Sequence, residues 1–252
     1  MLFPKAQGLC NGCETRGGLQ WWSTPLGEVA TTESEVAEHI QFLVQEVRRN
    51  VYLSGPVRVA PGAVVLDVGA NIGLFSRQAI AAGASRVIAV EPGRGNLQAF
   101  EANLAREIAA GHVSVLPKGA WNECARLTFT IVPTHPARSS FVERVSNHPT
   151  EADSTEVEPL DRMVEDLRLR RVDFLKMDIE GAEQKALEGA ADLLRRWKPQ
   201  MAVAVEHTDD WLANAKSVRD LVLEINPAYR FQAGPFVVTR DRRLAPEVVY
   251  FY

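Results

Sequence analysis

The sequence predicts an α/β fold in which a mostly parallel, doubly wound sheet carries helices on both faces. Three observations support it. Apolar runs of strand length alternate along the chain with helical patterns. A turn bracketed by Gly69 and Gly73 joins the first of these strands to the helix after it. Charged residues then recur at the carboxyl ends of later apolar runs: Glu91 after Val90, Lys176 and Asp178 around Met177, Glu206 and His207 after Val205. That edge is where doubly wound sheets bind ligands. At 252 residues the chain suits one α/β domain with an appendage. We expect residues 1–55 to form a cap or lid and residues 56–252 to form the ligand-binding domain.

Composition narrows the function classes. Hydrophobic residues make up 46% and charged residues 24%, an ordinary globular balance. A net charge of -4 without a long basic run weighs against nucleic acid as a partner. No stretch nears the roughly 18 apolar residues of a membrane span. The N-terminus lacks a charged segment followed by an apolar core, so no signal peptide and a cytoplasmic location are expected. Three cysteines, Cys10, Cys13 and Cys124, suit a reducing compartment. The spacing of Cys10 and Cys13 is that of redox and zinc sites, but one such pair supplies half the ligands of a structural zinc, so free thiols are the expected state.

Residues 1–30 are rich in glycine and turn formers without periodicity, which suggests an irregular cap. From Glu33 to Asn50, Val36, Ile40, Leu43, Val44 and Val47 share one side of a helix that Ser34 or Thr32 can cap. Through Tyr52 this helix leads to the sheet, so the segment is expected to pack over the mouth of the site and exclude water. Val64 to Leu66 form a strand buried on both faces, and Leu74, Phe75, Ala79 and Ile80 fit one face of the next helix. Arg86 to Val90 is the second strand. Asn96 to Ala109 is a helix stopped by Gly111, and Val113 to Leu116 starts the third strand. Residues 126–132 alternate as a strand, 133–154 form a long polar loop, and Thr155 to Leu160 is extended before a helix on Leu160, Met163, Val164 and Leu167. Val172 to Ile179 is a buried strand, Ala182 to Trp197 a helix, Met201 to Val205 a strand and Trp211 to Ile225 a helix. Phe231, Phe236 to Val238 and Val248 to Tyr252 supply the last two strands.

The chemistry lies at the strand ends. In VVLDVGANIGLFS, from Val64 to Ser76, Asp67 closes the apolar run and the loop reads Gly69, Ala70, Asn71, Ile72, Gly73. The glycines let the backbone come close to a ligand. Their spacing departs from the GxGxxG of dinucleotide sites, which favours an adenosine cofactor without phosphates. Glu91, followed by Pro92, can accept both ribose hydroxyls. Gly119, Ala120 and Trp121 lie where the third strand's loop would meet an adenine edge, with Trp121 as ordinary core the competing reading. S-adenosylmethionine, with ribose, adenine and an amino-acid end, suits this description.

Together, VLDVGANIGLFS, the pair Glu91 and Pro92, the pair Leu160 and Asp161, FLKMDIEGAE from Phe174, the neighbouring ALEGA and the VEH that ends at His207 resemble the FkbM family of S-adenosylmethionine-dependent methyltransferases. The resemblance covers roughly residues 50–207. It implies a Rossmann-like class I methyltransferase fold, a seven-stranded sheet whose last strand is antiparallel, and usually transfer to a hydroxyl oxygen. It also implies that Asp67, Gly69, Asn71 and Gly73 line the methionine and ribose end, that Glu91 holds the ribose, and that Asp178 lies beside the sulfonium. Ala70, Ser76, Pro92, Gly119 and Ala120 join them as expected cofactor-binding residues.

Methyl transfer is an in-line displacement for which the cofactor carries the activation, so the protein aligns the acceptor and handles its proton. His207 titrates in the useful range and is the expected general base, with Asp178 competing for the task. The plainer readings make His207 an orienting residue and Asp178 a carboxylate that caps the next turn or pairs with Lys176. Glu180 and Glu183 fit the N-terminus of the following helix. A divalent metal on Asp178 with Glu206 or His207 is the less favoured alternative. The expected activity is O-methylation of a hydroxylated natural product, sugar or lipid. N-methylation, a noncatalytic cofactor-binding module and a nicotinamide oxidoreductase are the alternatives, and a homo-oligomer is left open.

Overall fold

The structure is a computed structural model that describes residues 10–33, 35–131, 141, 151–208, 210–239 and 242–252. Its first three strands, β1 (Asn11–Arg16), β2 (Leu19–Thr24) and β3 (Gly27–Thr32), form an antiparallel meander that replaces the irregular cap expected there. Gly17 and Gly18, both left-handed at φ 61° and 75°, make the two-residue turn that a tight hairpin needs. Trp22 buries its ring and donates Nε1 to Thr31 Oγ1 at 2.9 Å. Helix α1 (Ala37–Arg48) packs Ile40, Leu43 and Val44 with Trp22 and Val29 of the meander, and with Ile72 and Leu74 of the glycine turn. Its N-cap is Val36, without a side-chain cap bond, so Thr32 does not serve; Ser34 lies outside the described residues. Glu35 instead pairs with His39 Nδ1 at 2.7 Å. A 3-10 turn at Val51–Leu53 delivers Tyr52 to the sheet.

The main domain runs β4 (Val64–Val68), α2 (Leu74–Ala81), β5 (Arg86–Val90), α3 (Arg94–Asn103), α4 (Ala105–Ala109) and β6 (Val113–Leu116). A side sheet of β7 (Gly119–Ala120), β8 (Ala125–Ile131) and β9 (Glu151–Glu158) is inserted next. Then come α5 (Leu160–Asp166), β10 (Phe174–Met177), α6 (Glu183–Glu188), α7 (Ala191–Trp197), β11 (Gln200–Ala204) and α8 (Trp211–Ile225). The chain closes with β12 (Phe231–Ala233), β13 (Phe236–Val238), β14 (Leu244–Pro246) and β15 (Val248–Phe251). The main sheet has the order β12-β15-β11-β10-β4-β5-β6, with β15 antiparallel to both neighbours. This is the Rossmann-like, seven-stranded, mostly parallel sheet that the sequence predicts. Among the described residues no helix is long and apolar enough to cross a membrane.

Burial on both faces explains the continuous apolar runs. Leu66, Leu175, Met177 and Val203 face α5, α7 and α8, while Val65, Phe174, Ala202 and Tyr250 face Tyr52, Phe75 and Phe100. Each large aliphatic side chain so buried contributes roughly 1.5–3 kcal/mol.

Several boundaries differ from expectation. The helix expected over 96–109 breaks at Leu104, whose backbone leaves the helical region at φ -124° and ψ 22° while its side chain is fully buried. That expected over 182–197 breaks at Gly189, where a Cβ would lie 2.1 Å from the Trp121 carbonyl oxygen. Strand β9 starts at Glu151, earlier than Thr155, and pairs along β8. Most of the loop expected over 133–154 lies outside the described residues. The carboxyl-terminal run yields β13 and β14 as a separate hairpin besides two strands of the main sheet.

Candidate active site

The carboxyl ends of β4, β5, β10 and β11 bring their charged residues to one edge. At the β4 end, Asp67 is fully buried and its Oδ2 accepts the Ser76 hydroxyl at 2.6 Å. Ser76 is itself fully buried, so its hydroxyl holds Asp67 rather than facing the edge. Gly69 and Ala70 both donate N–H to the Val90 carbonyl, at 2.9 and 3.1 Å. The glycines answer to neighbouring protein as much as to any ligand. A Cβ on Gly69 would stand 1.8 Å from the Asp178 carbonyl oxygen, and one on Gly73 would stand 2.4 Å from Leu104 Cδ1. With φ of 77° and 87° they let this loop sit flush against the β10 loop and α3.

Glu91 is the hub of the β5 end. Its Oε1 accepts from Gly93 N at 2.8 Å and Asn96 Nδ2 at 3.1 Å, and its Oε2 from Asn71 N at 2.8 Å. Burial pushes its carboxyl upward, and these donors with Lys176 work against that. Beside it, Asn96 Oδ1 is buried without a hydrogen-bond partner among the described residues. A buried acceptor left without a donor calls for one from a ligand. Asn96 lies beyond the motif that stops at Pro92, so the sequence gives no sign of it.

Lys176 joins the two ends. It is 4% exposed, donates Nζ to the Gly69 carbonyl at 2.6 Å, and lies 3.4 Å from Asp67 and 3.9 Å from Asp178. Burial pulls its ammonium down, and Asp67, Asp178 and Glu46 outweigh that, so it is held charged.

At the β10 and β11 ends, Asp178 Oδ2 accepts the Tyr52 hydroxyl at 2.7 Å, and Asp178 Oδ1 lies 3.2 Å from His207 Nε2. Tyr52 also reaches Glu46 Oε1 at 3.2 Å. Burial first, then Asp178 and Glu206, push the Glu46 carboxyl well above its ordinary range. The second nitrogen of His207, Nδ1, lies 3.0 Å from Glu183 Oε1, which also accepts from Ile179 N and Gly181 N at 3.1 Å each. Burial would lower His207, but Glu180, Asp178 and Glu183 raise it well above its ordinary value. Both ring nitrogens of His207, the expected general base, therefore face carboxylates, Asp178 at Nε2 and Glu183 at Nδ1. Glu183 caps the turn ahead of α6, close to its expected place at the helix N-terminus.

Asp178, Glu183 and His207 also bring one potential ligand atom each within 4.8 Å of one another. A metal there would need a deprotonated ring nitrogen and would compete with the amides on Glu183, so this donor set suits hydrogen bonding. Gly119 and Ala120, expected at the adenine, are buried in the side sheet, where a Cβ on Gly119 would meet the Phe141 ring at 2.4 Å. Packing accounts for both. Cys10, Cys13 and Cys124 are free thiols.

A family model described as the Methyltransferase FkbM domain matches residues 67–232. The 31-O-demethyl-FK506 methyltransferase FkbM of Streptomyces tacrolimicus is 28% identical over 190 residues, covering 65% of this chain and 73% of that protein. The AMB antimetabolite synthetase AmbE of Pseudomonas aeruginosa is 31% identical over 188 residues, 60% of this chain but only 9% of that much longer protein. The crystal structure of methyltransferase FkbM from Methylobacillus flagellatus KT superposes with a TM-score of 0.57 at 25% identity, covering 85% of this chain and 53% of that chain.

Proposed function

Because the chain belongs to the FkbM methyltransferase family, we propose that it moves the methyl group of S-adenosylmethionine onto a hydroxyl oxygen of a small or medium-sized molecule. The observation that supports this cofactor best is the pairing of Glu91 with the unpartnered Asn96 Oδ1 at the β5 end, an acceptor set matched to ribose hydroxyls. The hydroxyl direction draws on the similarity to the 31-O-demethyl-FK506 methyltransferase of Streptomyces tacrolimicus.

When bound, the cofactor supplies a methyl group activated by positive sulfur. The chain's residues do the rest. Glu91 and Asn96 hold the ribose, and Asp67, pinned by Ser76, places negative charge under the methionine end. Asp178, fixed by Tyr52 and His207, adds negative charge where the acceptor meets the sulfonium. Residues 1–55 act as the cap, since Tyr52 from that segment completes the Asp178 environment and keeps water from it. The free cysteines suit a reducing compartment, and we place the protein in the cytoplasm.

Isothermal titration with S-adenosylmethionine and with NAD, followed by S-adenosylhomocysteine release on a panel of hydroxyl and amine acceptors, tests the reading. Cofactor binding with product from hydroxyl acceptors supports it. NAD binding alone would replace it with an oxidoreductase, amine-only turnover with N-methylation, and tight cofactor binding without turnover with a binding module.

A further inference from the structure

The acceptor end holds more carboxyl groups than methyl transfer needs, and they differ in how their oxygens are used. Asp178 faces the Tyr52 hydroxyl at 2.7 Å, His207 at 3.2 Å and Lys176 at 3.9 Å. Glu183 takes two backbone amides and the His207 ring. Both carboxylates already have their donors within the protein. Glu46 Oε1 accepts from the Tyr52 hydroxyl at 3.2 Å. Both ring nitrogens of His207 face carboxylates.

Glu206 is the exception. It follows the carboxyl end of β11, its Oε2 is buried with no hydrogen-bond partner among the described residues, and the residue as a whole remains partly exposed. The flanking Val205 N–H is tied to the Glu247 carbonyl at 3.0 Å, which fixes the backbone that carries it. We propose that Glu206 is the catalytic group that receives the acceptor's hydroxyl proton. The inference rests on the methyl-transfer reading above. As the acceptor oxygen's lone pair forms the new O–C bond, its proton passes to a Glu206 oxygen, and the electron pair of the breaking C–S bond returns to sulfur. The products are a methyl ether, a neutral thioether and a protonated Glu206 that later releases its proton to water.

The surroundings fit that task. Burial without a donor pushes the Glu206 carboxyl up to about 8. His207 on its own loop opposes the rise, whereas Glu247 at the start of β15 and Asp178 and Glu180 on the β10 loop reinforce it. From α1 and the turn after it, Glu46 and Tyr52 interact with the same charge, and Arg49 is paired with Glu247. A base of this strength is matched to a hydroxyl proton near neutral pH.

The test uses the full chain, Glu206→Gln and Glu206→Asp, and carbon-13 NMR of glutamate side-chain carboxyls. The wild type is expected to show a carboxyl titrating near 8 that is missing from Glu206→Gln. Glu206→Gln should bind S-adenosylmethionine as wild type does, yet lose about 100- to 10,000-fold in turnover on the hydroxyl panel, with Glu206→Asp recovering part. The wild-type rate should rise with pH through about 8, and that rise should vanish in Glu206→Gln. An ordinary Glu206 titration, or an unaltered pH profile in Glu206→Gln, overturns the base role alone. Absence of product from the wild type across the panel overturns the methyl-transfer reading and the base role with it.

Discussion

The proposed cofactor end and the proposed acceptor end of the same sheet edge are built by different means. Around Gly69 to Asn96, backbone amides and one buried carboxylate satisfy each other over short stretches of chain, as when Gly93 N and Asn71 N converge on Glu91. Around Asp178, side chains from distant segments do the work, with Tyr52 meeting Asp178 across 126 positions of sequence. The first construction fixes a shape, and the second fixes a set of charges. A cofactor common to a family suits the former, and an acceptor that varies among relatives suits the latter.

Lys176 is the side chain both ends share, so removing it gives the largest expected effect. Lys176→Met leaves Asp67 and Asp178 without their buried cation and is expected to cost about 3–5 kcal/mol of stability, read by urea denaturation. A loss under about 1 kcal/mol, the scale of a surface pair, would show that the two ends are energetically separate. Next in size comes Gly69→Ala. A left-handed φ of 77° costs a side chain about 1–2 kcal/mol, and its Cβ would also overlap the Asp178 carbonyl. The domain should fold less stably and bind S-adenosylmethionine more weakly, and calorimetry that finds both unchanged would remove the contact between the loops.

Glu91→Ala acts on the cofactor end alone. Loss of hydrogen bonds to a charged group, worth about 1.5–3 kcal/mol, should weaken S-adenosylmethionine binding by roughly 10- to 100-fold while the domain stays folded. Unchanged affinity by titration calorimetry would take the ribose away from Glu91. Tyr52→Phe should do the reverse, leaving cofactor affinity near wild type and costing about 1 kcal/mol or somewhat more through Asp178. If it weakened cofactor binding as much as Glu91→Ala, the division between the ends would fail.

That division also explains what was legible in the sequence. The strand runs at Val64, Arg86, Phe174 and Met201 are buried on both faces, so hydrophobicity alone locates them and the sheet follows. Asp67, Gly69 and Glu91 lie within that local grammar. His207 lies at a strand end as the sequence predicts, but the two carboxylates that face its ring come from residues 178 and 183 on another loop and leave no sign near it in the sequence. Glu46 and Tyr52 lie on a helix face and a turn whose pattern reports only packing. The meander is hidden because its strands, NGCETR, LQWWST and GEVATT, lack a clean apolar alternation, and the breaks at Leu104 and Gly189 depend on neighbours remote in sequence.

The dependence of stability on pH isolates Glu206 without any acceptor. Its carboxyl rises from an ordinary 4.5 to about 8 on folding, so between those values the folded chain holds a proton that the unfolded chain has released. Stability from this group is complete below about 4.5 and falls as pH rises through about 8. His207 runs in the same direction, since its folded value lies above the ordinary 6.5, and its contribution is lost only as pH climbs through that raised value. Glu206→Gln removes the first slope and leaves the second. Its thermal midpoint should therefore decline less than that of wild type between pH 4.5 and about 8, with the remaining decline set at the alkaline side by His207. Parallel curves would mean that Glu206 is ionised in the folded chain, as well served by donors as Asp178, and the contrast among the acceptor-end carboxylates would collapse.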